Sequence, residues 1–240
     1  MADIITEPLA AARRMARVPV LSSLAEKVDP THTALLVIDM QNDFCAPGGL
    51  VDRGGRDVSG VADMEPRLAR LIAVARKAAV RIIFVRCSYS TDTNVYLSDV
   101  WLEQAARRQG SGYTLSPVCQ DGTWGCDYFG AVHPEPDDII VVKHRYSAFH
   151  GTDLELILRA NGVRTVVLTG VSTHVCVETS ARDAFVRDFY SVIASDATAA
   201  YSSEEHERAL AVLDRFFGQV VDSDHLMRLW NPRTGEHEEL

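Results

Sequence analysis

The chain has 240 residues, 47% of them hydrophobic and 24% charged, enough for one sizeable core and one α/β domain rather than a disordered or fibrous protein. Its net charge is −9 with lysine and arginine scattered, which fits neither a nucleic-acid groove nor a surface for anionic membranes. Five cysteines, Cys45, Cys87, Cys119, Cys126 and Cys176, form no C-x-x-C pair, which argues against a disulfide framework or a structural zinc site.

In chain order, residues 1–30 form an N-terminal arm punctuated by Pro8, Pro19 and Pro30. Between the first two lies the alanine-rich stretch Leu9 to Arg17, built of good helix formers. Such an arm packs on the body or on a neighbouring subunit, a flexible tail being the other reading. No basic, apolar leader and no run long enough to span a bilayer is present, so a soluble, unexported protein of a reducing cytosol is expected.

Residues 31–230 read as one domain in which apolar runs alternate with amphipathic segments. Strands are predicted at 34–39, 81–87, 139–143, 164–169, 191–195 and 219–222. Helices are predicted at about 61–79, 152–161, 175–189 and 203–216. Strands that are apolar throughout belong in a parallel sheet covered on both faces, and right-handed crossovers then give a three-layer α/β/α doubly wound fold. The stretch from Ser88 to Pro136 is a long connection rich in aromatics, including Tyr89, Tyr96, Trp101, Tyr113, Trp124 and Tyr128. It reads as a binding loop or lid, or as an irregular loop that its aromatics anchor on the core. The polar tail 231–240 is expected to fray.

Three strand ends carry ionisable groups. Ala34 to Ile38 stops at Asp39-Met40-Gln41-Asn42-Asp43-Phe44, Ile139 to Val142 stops at Lys143-His144-Arg145-Tyr146-Ser147, and Thr165 to Leu168 runs into Gly170-Val171-Ser172-Thr173-His174-Val175-Cys176. In an open parallel sheet the C-terminal ends of the strands open onto one edge, so Asp39, Lys143 and Cys176 are candidates to converge there. Cys176 falls in the first turn of a helix, where unpaired N–H groups and the dipole favour a thiolate and an oxyanion beside it. A lone cysteine in apolar surroundings is also an ordinary core residue. Amide hydrolysis by a thiol needs a nucleophile, a proton shuttle and oxyanion donors, for which Cys176, Asp39 with a raised pKa, and backbone N–H groups are the candidates.

These motifs resemble the isochorismatase-like cysteine hydrolases: D-x-Q-x-D-F after the first strand, K-x-x-x-S-x-F after another, and G-x-x-T-x-x-C-V at the strand-to-helix turn. The similarity runs from about Thr33 to Asp222. It implies a six-stranded parallel sheet of order 3-2-1-4-5-6 and a triad of Asp39, Lys143 and Cys176, with Lys143 favouring the thiolate and restraining Asp39. It also implies an oxyanion site at the Ser172 and Cys176 N–H groups, a cis peptide between Val171 and Ser172, a homodimer or homotetramer, and no metal or other cofactor.

Within that superfamily the segments Lys143 to Phe149 and Cys176 to Phe185 look like those of ureidoacrylate amidohydrolases and are similar to biuret and triuret hydrolases. The D-x-H metal motif of nicotinamidases is not matched by Arg86 to Asp92, and isochorismatases proper lack the cysteine. The resemblance implies cleavage of a C–N bond in a small ureido or carbamoyl compound through a thioester, releasing ammonia or carbamate. Candidate pocket residues are Phe44 against a planar substrate, Gln41 and Asn94 as polar contacts, Trp101 and Tyr146 as walls, and Arg145 toward a carboxylate. His144 stands where proline is usual and His174 where Asn or Asp is common. Competing readings are an amidase for an N-carbamoyl amino acid, maleamate or nicotinamide, and a non-catalytic member with a redox-sensitive thiol at Cys176.

Overall fold

The structure, a computed structural model, describes residues 13, 15, 18–89, 95–107 and 118–231. Its strands are β1 Thr33–Ile38, β2 Arg81–Cys87, β3 Ile139–Lys143, β4 Thr165–Val171, β5 Tyr190–Ala199 and β6 Gln219–Val221. All pair in parallel in one sheet of order β3-β2-β1-β4-β5-β6. Its α-helices are α1 Leu24–Lys27, α2 Asn42–Cys45, α3 Leu50–Arg53, α4 Ser59–Lys77, α5 Asp99–Arg107, α6 Leu154–Ala160, α7 Glu178–Phe185, α8 Ser203–Phe216 and α9 Ser223–Trp230. None of them is long and apolar enough to cross a membrane.

Every residue of β1 and β4 is buried, and successive side chains serve opposite faces. Leu35, Val37, Val167 and Val192 pack with Val61, Met64, Leu68, Leu71 and Ile72 of α4 and with Leu226 and Trp230 of α9. Ala34, Leu36, Ile38, Leu168 and Ile193 pack on the other face with Leu154 and Leu158 of α6, Ala181 and Ala184 of α7 and Leu213 of α8. The three-layer reading and the strand order of the sequence analysis hold. A third, smaller cluster of Leu50, Cys87, Tyr89, Val118, Cys119 and Cys126 fills the carboxyl end of β2, with Phe44 and Trp101 against it.

Several boundaries differ from expectation for local reasons. The helix predicted from residue 175 begins as a π-helical turn, Thr173–Val177, before α7 takes over. Strand β5 continues to Ala199, past the expected end at 195, because the ladder with β4 resumes at Gly170 and Thr198 after an irregularity. Helix α9 was not predicted; Asp222 caps it by accepting from the His225 N–H at 2.7 Å. Within the long aromatic connection, α5 is an ordered helix, so that region is not wholly irregular.

Residues 18–32 lie on the body. The Leu21 N–H donates to Tyr190 Oη at 3.0 Å, Arg164 Nη2 donates to the Pro19 carbonyl at 2.8 Å, and the buried Val28 gives its carbonyl to Trp230 Nε1 at 2.8 Å. Of the alanine-rich stretch only Arg13 and Met15, both helical, are among the described residues, and the tail 232–240 lies outside them.

The end of β4 depends on Gly170, at φ +96°. A Cβ there would sit 2.0 Å from the carbonyl oxygen of Ile38 on β1, so backbone rather than a movable side chain blocks it. Gly170→Ala is therefore expected to cost at least about 2 kcal/mol, from a disfavoured φ and forced separation of the central strands. Urea denaturation of the variant beside the parent measures it.

Candidate active site

Chain β1 ends at Ile38, and Asp39 takes φ +53°, a left-handed conformation that Asp tolerates better than most residues. Its N–H continues the ladder to the Val85 carbonyl at 2.8 Å and its carbonyl receives the Gln41 N–H at 2.8 Å, which holds the carboxyl over the sheet edge. Lys143 is the last residue of β3, two strands away, a gap of about 10 Å at ordinary strand spacing. A four-carbon stem spans it. Lys143 Nζ lies 2.8 Å from Asp39 Oδ2 and 3.6 Å from Cys176 Sγ, and donates to the Arg145 carbonyl at 3.1 Å.

Cys176 sits in the π-helical turn that follows β4. The Val175 and Val177 N–H groups both donate to the Ser172 carbonyl, at 3.1 and 3.2 Å, and the Val171–Ser172 peptide is cis. Ser180 Oγ donates to the Cys176 carbonyl at 2.6 Å while accepting from the Ala148 N–H at 3.0 Å. Ser147 Oγ donates to Asp183 Oδ2 and accepts from the Phe149 N–H at 3.1 Å. The serine of the K-x-x-x-S-x-F motif and the Ala148 N–H thus fasten the Lys143 loop to the Cys176 helix. From the opposite side, α8 backs the turn: Thr173 Oγ1 and His206 Nδ1 share a hydrogen bond of 2.8 Å, and His174 Nε2 lies 3.6 Å from Glu205 Oε2.

Burial dominates the electrostatics. Asp39 and Lys143 are fully buried and Cys176 is 9% exposed. Desolvation raises the Asp39 pKa above the usual carboxylate range, with Lys143 pulling it back in part. Burial works against the Lys143 charge too, but Asp39 and then Cys176 raise its pKa above the ordinary value, so it stays an ammonium. The Cys176 thiol is pushed well up by burial despite Lys143. This runs against the expectation that the helix start makes Cys176 a ready thiolate: loss of solvent outweighs the pull of the neighbouring ammonium. Burial thus favours the uncharged forms of the Asp39 carboxyl and the Cys176 thiol, and Lys143 opposes it at both.

The pocket candidates are placed unevenly. Gln41 is fully buried and its amide is taken by backbone: Nε2 donates to the Cys87 and Cys126 carbonyls, both at 3.0 Å, and Oε1 accepts from the Cys87 N–H at 2.7 Å. It ties loops together rather than reaching toward a ligand. Asp43 does the same, accepting from the N–H groups of Leu50 at 3.2 Å and Cys119 at 2.8 Å. Phe44 is half-buried between two core clusters and its carbonyl accepts from Tyr201 Oη at 3.1 Å. Trp101 and Tyr146 lie 4.6 Å apart, with the Arg145 guanidinium 5.3 Å from the Trp101 ring, around a cavity of about 260 Å³. Arg145 Nη1 donates to the Tyr96 carbonyl at 2.8 Å and His144 stacks on the Tyr96 ring at 3.6 Å, so this loop grips the aromatic connection. Asn94 lies outside the described residues.

Sequence reasoning missed Tyr201. It follows β5, and its hydroxyl donates to the carbonyl of Phe44, the last residue of the D-x-Q-x-D-F motif, at 3.1 Å; burial pushes that hydroxyl's pKa well above the ordinary value. The signal was the end of β5, hidden because that strand was expected to stop early. Glu178 and Arg182 form the expected i, i+4 pair at 2.7 Å. Among the described residues no group of three His, Cys, Asp or Glu side chains is placed to hold a metal ion.

The isochorismatase domain profile matches residues 33–225. A ureidoacrylate amidohydrolase, RutB, of Methylobacterium radiotolerans is 38% identical over 203 residues, covering 81% of this chain and 78% of the relative. Among solved structures, a cysteine hydrolase from Pseudomonas syringae pv. phaseolicola superposes with a TM-score of 0.73 at 27% identity, covering 90% of this chain and 99% of its own. The N-carbamoylsarcosine amidase from Thermoplasma acidophilum does so with a TM-score of 0.63 at 26% identity, over 80% and 97%.

Removing the ammonium strands a buried carboxylate. Lys143→Met is expected to lose about 3–5 kcal/mol of stability at neutral pH. The carboxyl, raised further in the folded variant than in the unfolded chain, takes up a proton on folding, so the loss shrinks as pH falls through the window between those two pKa values. Urea denaturation at pH 8 and pH 5 checks both parts; an equal loss at the two values contradicts them.

Proposed function

Because the chain belongs to the isochorismatase family, we propose that Asp39, Lys143 and Cys176 carry out cysteine-dependent hydrolysis of a C–N bond in a small ureido compound of the ureidoacrylate, biuret or triuret type. The observation that carries the reading is one buried ammonium, Lys143 Nζ, within 2.8 Å of a carboxylate and 3.6 Å of a thiol at the carboxyl edge of a parallel sheet. The likeness to ureidoacrylate amidohydrolases supports the substrate class, since it extends over four fifths of the chain.

In this mechanism Asp39 takes the Cys176 proton as the sulfur attacks the substrate carbonyl carbon. Lys143 keeps its charge throughout and stabilises first the carboxylate and then the thiolate. The N–H groups of Ser172 and Cys176, on the turn between β4 and α7, receive the oxyanion. Collapse of the tetrahedral species breaks the C–N bond, and Asp39 returns the proton to the leaving nitrogen. The amine or ammonia departs; water, which Asp39 deprotonates, then attacks the resulting thioester, the C–S bond breaks, the Cys176 sulfur takes the proton back from Asp39, and the acyl portion leaves as carbamate or carboxylate. Phe44, Trp101 and Tyr146 supply flat apolar walls for a planar ureide, and Arg145 supplies charge where a substrate carries a carboxylate.

A second reading, an amidase for an N-carbamoyl amino acid or another small amide such as maleamate or nicotinamide, is favoured by the likeness to N-carbamoylsarcosine amidase. Both readings share the chemistry and differ in the acyl portion. The protein is expected to act as a soluble cytosolic homodimer or homotetramer with no cofactor or metal, and with no nucleic-acid or membrane partner.

Ammonia release from ureidoacrylate, biuret and triuret, set beside N-carbamoyl amino acids, maleamate and nicotinamide, separates the two readings. Cys176→Ala and Asp39→Asn should each lower turnover of the best substrate by at least about 10³-fold with far-ultraviolet circular dichroism unchanged. Parental turnover in either folded variant rejects the mechanism.

A further inference from the structure

Two neighbouring residues at the start of α8 hold two neighbouring residues of the turn that carries Cys176. Thr173 Oγ1 and His206 Nδ1 share a hydrogen bond of 2.8 Å. Glu205 Oε2 lies 3.6 Å from His174 Nε2, and Glu205 Oε1 pairs with Arg56 Nη2 at 3.5 Å. Thr173 is fully buried, so its hydroxyl has no bulk water to turn to, and among the described residues His206 is its partner. Helix α8 is itself fixed at this end. Ser202 Oγ accepts from the Glu205 N–H at 3.2 Å, and Tyr201, just ahead, donates to the Phe44 carbonyl at 3.1 Å. Residues 201–206 therefore span from the loop after Asp39 to the turn after β4.

We propose that His206 is a positioning residue for the hydrolysis inferred above: through Thr173 it holds the turn where Cys176 Sγ meets Lys143 and where the Ser172 and Cys176 N–H groups receive the oxyanion. The proposal rests on that reading of the site. Thr173 stands next to Ser172, whose carbonyl receives both the Val175 and the Val177 N–H groups, and three positions before the nucleophile. Both of those bonds converge on one oxygen, so the bond from α8 adds a constraint that a single acceptor does not supply. Reactive geometry is steep, and a misplacement of about 1 Å can cost about 10²-fold in rate.

His206 plays this part as a neutral group. Burial lowers its pKa below the ordinary value, with Glu207 opposing and His174 assisting, so at neutral pH the ring offers a hydrogen bond and no charge. The cavity of about 330 Å³ that it lines with Asp63, Arg67 and Asp196 contains none of Asp39, Lys143 and Cys176. Its influence on the reaction passes through Thr173 rather than through contact with substrate.

The test uses the full chain in two pairs of variants. Thr173→Val and His206→Leu remove the shared bond; Thr173→Ser and His206→Asn keep a neutral hydrogen-bonding group in its place. With the best amide of the panel above, each of the first pair should lower kcat about 10- to 100-fold with KM within about threefold, and the double variant should be no slower than the slower single. The second pair should return kcat to within about threefold of the parent. Alkylation of Cys176 by iodoacetamide, mapped by mass, needs no turnover. It should be at least about fivefold faster in the first pair and parental in the second, because a turn freed from α8 opens more often and exposes the sulfur. Losses that multiply in the double variant, parental kcat or a parental alkylation rate in Thr173→Val, or His206→Asn as slow as His206→Leu overturns the proposal. Where His206→Leu does not fold, Thr173→Val decides alone. A parent that releases ammonia from none of the amides rejects the proposed function, and the alkylation rates then decide the positioning role.

Discussion

The contact between Lys143 and Asp39 is the constraint to which the rest of the molecule answers. Two opposite charges taken out of water cost several kcal/mol each, and only close approach and added hydrogen bonds return that cost. Here the approach is 2.8 Å, and the ammonium also donates to the Arg145 carbonyl. The pair therefore tolerates little movement of the three strands that separate and flank it. The Cys176 sulfur at 3.6 Å from the same nitrogen completes a cluster in which burial raises the pKa of the carboxyl and Lys143 pulls it back in part.

Much of the polar sequence around the cluster serves to hold it still. In the run after β1, Asp39 faces the lysine, while Gln41 and Asp43 spend their side chains on backbone groups from Cys87, Cys119, Cys126 and Leu50. In the run that ends β3, Lys143 reaches the site, while Ser147 Oγ and the Ala148 N–H bind the helix that follows Cys176. Each motif thus contains one residue that faces the cluster and others that fix where it stands. The separation follows from geometry: a buried loop needs partners for its amides, and short polar side chains nearby provide them.

That division explains what could be read from the chain alone. The layers, the strand order and the convergence of Asp39, Lys143 and Cys176 were legible, because uninterrupted apolar runs define central strands and their ends define one edge. Gln41 misled as a ligand contact, since the carbonyls that take its amide lie 46 and 85 positions away and leave no local trace. The Cys176 pKa was misread for a similar reason: its helix position is visible in the sequence, but its burial is set by residues from other elements. Tyr201 went unnoticed because β5 recovers its pairing beyond an irregularity that no period-2 pattern announces.

Among the described residues, strand β3 has a sheet neighbour on one side only, and Ile140 and Val142 on it are 49% and 42% exposed. Of the strands that meet the cluster, it is the one whose amide ladder is shortest of support, and local opening begins at such margins. A brief fraying there would withdraw the ammonium and leave the carboxyl and the sulfur in place, so the fraction of molecules competent at any moment is governed by the integrity of that border. Heat or mild denaturant would then silence the cluster while most of the helices and the central strands still stood.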